Sequence, residues 1–360
     1  MLSKLFPVKY IFLAGCCSWL VACQGQQMHN IAIAGEGTAA PGALKPAVIT
    51  AQVQYDSDDP AIWINKADAA QSLIVGTDKD SDGALYVFDL EGKIVKKVGG
   101  LKRPNNVDIA YGLTMKGQPV DITVTTERET NSLRIFRLPD MQPLDGGGIP
   151  VFEGEQDRLP MGVALYTRPA DKAIFAIVSR KTGPANGYLF QYRLQDNGKG
   201  GIKATLVREF GQYSGKKEIE SIAVDNELGF VYYSDEQAGV RKYYADPERG
   251  ETQLALFGQQ DFMLDNEGIS IYKTGDSTGY ILVSDQEANS FNVYRREGDP
   301  GAPNQHTLLK KIAVSAINSD GSEVTNIPLG TKFPKGLFVA MSTDHTFHYY
   351  DWRELEQLIK

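Results

Sequence analysis

The chain is poor in the residues that would supply thiol or zinc chemistry. All three cysteines, Cys16, Cys17 and Cys23, lie near the start, so the rest of the sequence can form no disulfide and has no thiolate nucleophile. The four histidines are scattered and form no HExxH motif, which argues against a zinc hydrolase site. No GxSxG motif is present either, and Ser-His-Asp catalysis is therefore disfavoured.

Long basic runs and long apolar runs are also missing. The net charge is −8, and no cluster of lysine and arginine is long enough to follow a phosphate backbone, so nucleic-acid binding is disfavoured. The apolar run at residues 10–22 is too short to span a bilayer. Helix-like periodicity is scarce except at the end of the chain, in residues 353–360.

The first 46 residues are predicted to direct export. Two lysines precede the apolar run, as in signal peptides, and Leu-Val-Ala-Cys at residues 20–23 matches the lipobox of bacterial lipoproteins. We therefore expect a signal peptide at 1–22, a lipid on Cys23, and a flexible Gly-, Ala- and Gln-rich tether at 23–46. This predicts a lipid anchor in the bacterial outer membrane. The alternative is an ordinary cleaved signal peptide and a periplasmic or secreted protein.

Residues 47–360 contain a β-strand repeat of about 50 residues. Each unit has a short apolar strand, a polar turn and an alternating aromatic strand, and the first five units have one further strand ahead of these. Repeats of this length with several strands each are typical of propellers. We predict an all-β, six-bladed β-propeller of four-stranded antiparallel blades in a single domain; a pair of β-sandwiches would not need so regular a repeat. The apolar strands are 72–78, 121–127, 173–179, 229–235, 279–285 and 336–342.

Acidic residues recur at the same places in these units. Asp58 and Asp59 precede the first strand of the first unit, Glu220 and Glu267 take that place in later units, and Glu236 follows an apolar strand. Because neighbouring antiparallel strands begin and end at the same edge, these residues are expected on one rim. Solvated loops would explain such a ring, and so would a multi-site calcium cluster. The coincidence across five units favours bound metal over solvated loops.

Such a rim suits phosphate-ester chemistry. Carboxylate-held calcium reverses the local negative field and attracts phosphate oxygens. A metal-held water is a usable nucleophile, and lysine or arginine side chains stabilise the charge that develops on the phosphoryl group.

Ordered motifs along this domain resemble the β-propeller phytases, the alkaline calcium-dependent 3-phytases of bacteria. The matching segments are DDPAIW at 58–63, GALYVFDLEGK at 83–93, NNVDI at 105–109, DNEG at 265–268 and FPKGLFVA at 333–340. The resemblance implies a phosphomonoesterase that converts phytate, myo-inositol hexakisphosphate, to lower inositol phosphates and phosphate. It also implies several Ca²⁺ ions and metal-activated water. We expect the protein to be a monomer.

The resemblance further implies roles for individual residues. Glu220 and Glu267 are expected to hold the metals that activate water, and Lys79 and Lys181 to bind substrate phosphates and assist catalysis. The implied metal-binding set is Asp58, Asp59, Glu220, Glu236, Glu267, Gln286 and Asp320.

Several positions depart from the family pattern. Ala110 stands where the family has an arginine that grips phosphate, and Met161 replaces a tyrosine of the site. We expect Arg128 or Arg180 to supply the missing substrate-binding cation. Further departures are Ser221 and the segments 341–344 and 346–348.

These departures leave two other hypotheses open. In one, a degenerate phytase-like propeller binds inositol phosphates or a protein partner without turnover. In the other, the protein is a calcium-dependent propeller lactonase or esterase, against which the lysine pair Lys79 and Lys181 argues.

Overall fold

The computed structural model describes residues 37–360. The predicted signal peptide 1–22, the predicted lipidation site Cys23 and residues 23–36 of the predicted tether lie outside the described residues. Of the remaining tether residues, Leu44 donates its backbone N–H to the carbonyl of Ala313 at 2.8 Å. Within 37–360, no helix is both long enough and apolar enough to cross a membrane.

The described chain consists mainly of short strands in six antiparallel sheets. In chain order the strands are β1 (Val48–Ile49), β2 (Ser57–Trp63), β3 (Leu73–Asp78), β4 (Gly83–Phe88), β5 (Ile94–Leu101), β6 (Pro104–Met115), β7 (Gln118–Glu127), β8 (Ser132–Arg137), β9 (Gln142–Pro143), β10 (Ile149–Pro150), β11 (Pro160–Thr167), β12 (Ile174–Arg180), β13 (Asn186–Asp196), β14 (Ile202–Gln212), β15 (Ile222–Asp225), β16 (Phe230–Asp235), β17 (Gly239–Tyr244), β18 (Ala255–Phe257), β19 (Asn266–Lys273), β20 (Gly279–Asp285), β21 (Ser290–Arg295), β22 (Lys310–Ala313), β23 (Ser322–Thr325), β24 (Leu337–Ser342) and β25 (Thr346–Asp351). Three 3₁₀ turns (Ala69–Gln71, Arg128–Thr130 and Pro247–Arg249) and the helix α1 (Trp352–Ile359) complete the described elements.

Each sheet is one blade of a six-bladed propeller, and the predicted fold is confirmed. The blades begin at the axis with β2, β6, β11, β15, β19 and β23, and the next strand outward in each is the predicted apolar strand. In the second blade the outermost place is taken by two short strands, β9 and β10. The sequence pattern did not reveal β23 or the strand that closes the ring. That strand is β1, which pairs with β25 so that Val48 lies opposite Tyr349.

The core consists of six apolar layers, one between each pair of neighbouring blades. Because every blade is covered on both faces, its second strand is buried on both sides and reads as a continuous apolar run. This explains why the repeat was visible in the sequence. The blades also approach closely: a Cβ on Gly76 would lie 2.3 Å from a ring carbon of Phe347 in the sixth blade.

Hydroxyl groups at the ends of the second strands tie the third, fourth and fifth blades each to the next. Ser179 Oγ donates to the carbonyl of Ile219 at 2.6 Å, and Ser234 Oγ donates to the carbonyl of Glu267 at 2.7 Å. Ser284 Oγ makes the same bond to Ser319, at 2.7 Å. These buried bonds fix the loops of one rim relative to one another, which a site shared between blades requires.

Candidate active site

The innermost strands begin with irregularities that present polar side chains at the rim. The register shifts between Ser57 and Pro60 in β2, and equivalent shifts occur at the starts of β6, β11 and β19. Such a bulge turns the extra residue out of the regular pleat. The predicted site residues Asp58 and Glu267 lie within two of these bulges, and Asn105 lies within a third.

The rim is tightly packed around Glu220. A Cβ on Gly162 would lie 1.9 Å from the carbonyl oxygen of Glu220, and one on Gly321 would lie 2.4 Å from Asp59 Oδ1. Both positions therefore require glycine, because any side chain would push neighbouring blades apart. This close approach brings the carboxylates of separate blades together.

The first cluster of carboxylates surrounds Lys79. Lys79 Nζ contacts Asp58 Oδ1 and lies 3.5 Å from Glu220 Oε1 and 3.8 Å from Asp320 Oδ2. Burial raises the pKa of Asp58 well above its usual range, despite the opposing effect of Lys79. Burial likewise raises the pKa of Asp320 to about 7. The first, fourth and sixth blades thus contribute carboxylates to one lysine.

Asn105 links this cluster to Arg128. Its amide nitrogen donates to Glu220 Oε1 and, at 3.3 Å, to Asp58 Oδ2, while its amide oxygen accepts from Arg128. Arg128 Nη2 lies 3.9 Å from Glu220 Oε1. Although burial acts to raise it, Lys79 and Asn105 together lower the pKa of Glu220, so this carboxylate is ionised.

A second cluster adjoins the first through Glu236. Single carboxylate oxygens of Glu236, Asp265 and Glu267 lie within 4.8 Å of one another, and so do those of Glu218, Glu220 and Glu236. Burial raises the pKa of Glu236 to about 8 and that of Glu267 well above its usual range. Repulsion between the neighbouring carboxylates adds to the effect of burial, and a bound cation would oppose both.

Two further lysines contact the second cluster and its border. Lys217 Nζ lies 2.8 Å from Glu236 Oε2 and 2.5 Å from Asp265 Oδ2. Lys181 pairs with Glu218. Gln286 donates its side-chain amide to Asp320 and so orients that carboxylate.

The two clusters together fit divalent metal ions. Within the described residues the two clusters set seven carboxylates against four cations, which leaves three negative charges uncompensated when all are ionised. Glu236 Oε1 and Glu267 Oε2 are buried and have no hydrogen-bond partner among residues 37–360. Hard carboxylate oxygens in this number are the ligands that Ca²⁺ takes. The carboxylates are Asp58, Glu218, Glu220, Glu236, Asp265, Glu267 and Asp320, and the cations are Lys79, Arg128, Lys181 and Lys217.

The rim residues that follow the second strands occupy equivalent positions in their blades. The first residue at each of these strand ends turns toward its own blade: Asp78 Oδ1, for example, accepts the backbone N–H groups of Tyr55 and Asp56 at 2.9 and 2.8 Å. The next residue is the one that reaches the site. These site-facing residues are Lys79, Arg128, Lys181, Glu236 and Gln286.

Arg180 is the first residue at the end of its strand, so its side chain turns toward its own blade and is not part of the site. Its side chain is 1% exposed, its Nη1 lies 2.8 Å from Glu155 Oε2, and its guanidinium lies over the ring of Phe152. The sequence could not choose between Arg128 and Arg180 as the substrate-binding cation. The structure brings Arg128 to the carboxylates and places Arg180 in the packing of the third blade.

Asp59 is set apart from its neighbour Asp58. Its Oδ2 accepts the backbone N–H of Val107 at 2.9 Å, which joins the first blade to the second. The same carboxylate lines an axial cavity of about 180 Å³, and Asp108 and Glu323 also line this cavity. Asp59 is therefore held by a backbone bond, whereas Asp58 faces the cluster.

Sequence reasoning missed several residues of the site. Asn105, Glu218 and Asp265 were not assigned to the site from the sequence, although Asn105 occupies the register of Asp58 and Glu267. Glu218 and Asp265 each lie two residues ahead of a predicted ligand, Glu220 and Glu267. Lys217 carried no motif. The proximity of Lys217 to the acidic loop of residues 218–220 is the signal that could have indicated it.

The comparisons with known proteins agree with this geometry. A sequence model of the phytase family matches residues 21–348. The 3-phytase of Bacillus subtilis (strain 168) is 28% identical over 319 residues, which cover 84% of this chain and 80% of that protein. Among solved structures, the hydrazine synthase of Kuenenia stuttgartiensis has a TM-score of 0.50 at 10% identity, covering 81% of this chain and 82% of that one, a likeness of fold alone. Since the family match extends over most of the sequence, the chain belongs to the phytase family, the phosphoric monoester hydrolases of phytate.

Proposed function

We propose that the protein hydrolyses phytate to lower inositol phosphates and phosphate with the help of several Ca²⁺ ions held at the rim. The observation that carries this proposal is the convergence of seven carboxylates from separate blades with lysines and an arginine among them. The similarity to a protein named 3-phytase supports the choice of substrate.

The residues of the two clusters have distinct tasks in this proposal. Asp58, Glu220 and Asp320 would hold metal in the first cluster, and Glu236 and Glu267, with the neighbouring Asp265, would hold it in the second. Bound divalent ions neutralise these carboxylates, polarise phosphoryl oxygens and lower the pKa of a bound water. Without that positive charge the rim would repel a substrate with six phosphates.

The cations of the rim bind and orient the phosphate group. Lys79 and Lys181 are ion-paired with carboxylates in the structure, and substrate phosphate offers them a second anionic partner. Arg128 presents a planar guanidinium, which recognises phosphate through parallel hydrogen bonds. Asn105 holds both Arg128 and Glu220, so it keeps the phosphate-binding side chain in register with a metal ligand.

Two of the departures from the family pattern, Ala110 and Met161, are buried apolar side chains. Ala110 is 3% exposed in the apolar layer between the second and third blades. Met161 is fully buried, and its carbonyl accepts a bond from Thr126. These placements favour turnover over binding without catalysis, because Arg128 already supplies an arginine at the carboxylates.

Calcium dependence and turnover are tested together by measuring phosphate release from phytate. The purified full chain is assayed at neutral to mildly alkaline pH with CaCl₂ and, in parallel, with excess chelator, and Glu220→Gln serves as the inactive reference. We expect release that requires calcium and is lost in the variant. Absence of release above the Glu220→Gln level in calcium would refute the proposal. A simple lactone and an aryl ester assayed alongside would reveal a lactonase or esterase instead.

Export and anchoring form a separate part of the proposal. The lipobox at 20–23 supports a lipid on Cys23 and a site of action at the outer membrane. Fractionation of cells that express the wild-type chain or Cys23→Ser tests this: we expect the membrane-bound wild type to become soluble in the variant. Equal membrane association of both proteins would contradict lipidation at Cys23.

A further inference from the structure

Lys217 places an ammonium group in the middle of the second cluster. Its Nζ lies 2.8 Å from Glu236 Oε2, 2.5 Å from Asp265 Oδ2 and 3.7 Å from Glu267 Oε1. These three residues form one of the two groups whose carboxylate oxygens lie within 4.8 Å of one another. One lysine therefore reaches every member of a group that could coordinate a metal ion.

The loop that carries Lys217 is anchored through its backbone. Tyr213 donates its hydroxyl to the Lys217 carbonyl, and the neighbouring Glu218 carbonyl accepts the backbone N–H of Glu236 at 3.1 Å. The side chain itself is 36% exposed, so it enters the cluster from the solvent side. A flexible four-carbon stem on a fixed backbone allows the ammonium group to leave without disturbing the loop.

We propose that Lys217 is a tethered competitor for the divalent metal ion at the Glu236–Asp265–Glu267 cluster. This inference rests on the metal-binding part of the proposed function. Calcium binds carboxylate oxygens at about 2.3–2.6 Å, and the ammonium group already makes contacts of similar length with two of the same carboxylates. The two cations cannot share these oxygens, because like charges at such short separation repel strongly.

The lysines of the two clusters differ in their exposure to solvent. Lys79 in the first cluster is only 12% exposed and contacts carboxylates on three sides, whereas Lys217 is at the solvent edge. In the metal-free protein Lys217 stabilises three buried carboxylates that would otherwise repel one another. The ion that enters this cluster must displace it, which weakens ion binding and stabilises the empty site.

Lys217→Gln and Lys216→Gln form a matched pair for the test. Lys216 is the adjacent residue, is exposed, and donates to the carbonyl of Gln237 at 2.7 Å without touching the cluster. Calcium binding to the metal-free full chain is measured by titration calorimetry, and thermal unfolding is followed in chelator and in calcium. We expect Lys217→Gln to bind calcium about ten-fold more tightly at one class of sites, since loss of one ion pair corresponds to a factor of this order. In chelator its melting temperature should be lower than that of wild type. Added calcium should raise the melting temperature of the variant by more than it raises that of wild type.

A second substitution, which keeps the charge, tests the inference even if Lys217→Gln does not fold. Lys217→Arg keeps the charge and adds a planar fork, so we expect it to compete more strongly and to weaken calcium binding. Lys216→Gln should behave as wild type in both measurements. The inference is overturned if Lys217→Gln and Lys217→Arg bind calcium as wild type does, or if Lys217→Gln is destabilised equally with and without calcium, as expected of a purely structural lysine.

These outcomes are distinct from failure of the proposed function. If the wild-type chain shows no saturable calcium binding, both the metal-dependent function and the competition are excluded. If wild type binds calcium and releases phosphate from phytate while the Lys217 variants bind calcium unchanged, the competition alone is wrong.

Discussion

The ammonium nitrogen of Lys79 lies 3.5 Å from a carboxylate oxygen of Glu220, although the two residues belong to the first and fourth blades. Such a contact exists because the strands nearest the axis begin at one rim of a closed ring. The pair therefore depends on the whole propeller, and a change at either residue affects both the charge balance of the rim and the chemistry there.

Replacement of Lys79 with glutamine should abolish most of the activity. The variant loses a phosphate-binding cation, and it leaves Asp58 and Glu220 without their nearest positive charge. We expect kcat/KM for phytate to fall about 100-fold, as for the loss of one transition-state contact. Lys93→Gln, at an exposed turn, is the control and should retain wild-type activity. Retention of more than a third of the activity by Lys79→Gln would show that this lysine does not serve the reaction.

Replacement of Glu267 with glutamine should reduce calcium binding and activity together. Glu267 is 2% exposed, and its Oε2 has no hydrogen-bond partner in the described part of the chain. The amide keeps the side-chain volume but removes the negative charge that a hard cation requires. We expect at least one calcium ion fewer per chain by titration and a loss of activity of about 100-fold. Glu209→Gln on an exposed strand position controls for loss of net charge, and an unchanged stoichiometry in Glu267→Gln would remove this residue from the metal site.

Substitution of Arg128 should lower activity, whereas substitution of Arg180 should lower stability. Arg128→Gln removes the guanidinium near Glu220 and should lower kcat/KM about 10- to 100-fold with little change in stability. Arg180→Met removes a buried cation packed against Phe152 and paired with the half-exposed Glu155, so it should lower the free energy of unfolding by about 2 kcal/mol. Urea denaturation and phytate assays on both variants test the assignment. The opposite pattern would return Arg180 to the substrate site.

The sequence predicted those features that repeat with the blades. The apolar second strands are buried on both faces, so their composition is nearly invariant from blade to blade and reveals the propeller. Asp58, Glu220 and Glu267 share one register in that repeat, which is why their convergence was predictable. Their ligand roles, like those of the other predicted site residues, remain predictions.

The direction of individual side chains could not be predicted from the sequence. Arg180 follows Ser179 just as Asp78 follows Thr77, and both side chains turn toward their own blade, but the partners that hold Arg180, Phe152 and Glu155, are distant in the repeat. The loop that carries Lys217 has counterparts in the first and fifth blades, but the residues that take its place there, Tyr55 and Leu264, carry no positive charge. These residues are placed by contacts between blades and loops, not by periodicity.

His306 should make the protein less stable in mild acid. Its ring is 5% exposed; Nδ1 lies 2.9 Å from the Arg295 carbonyl, and Nε2 lies 3.3 Å from the buried Lys242 Nζ. The proton is assigned to Nδ1, because Nε2 faces an ammonium donor. Burial, reinforced by Lys242, lowers the pKa of His306 to about 4, while the hydrogen bond to the Arg295 carbonyl and the charge of Asp299 act in the opposite direction.

The sign of the effect follows from proton uptake. Between pH 6.5 and pH 4 the unfolded chain binds a proton at this histidine that the folded chain does not. His306 therefore leaves the free energy of unfolding unchanged above about pH 6.5 and lowers it progressively as the pH falls toward 4. The contribution is about 2 kcal/mol between pH 7 and pH 5. His306→Gln removes the titrating group, so the difference in urea unfolding free energy between these two pH values should be smaller than in wild type by that amount. Because the carboxylates of the rim titrate equally in both proteins, the comparison isolates His306, and parallel pH profiles would show that His306 is not buried in the neutral form.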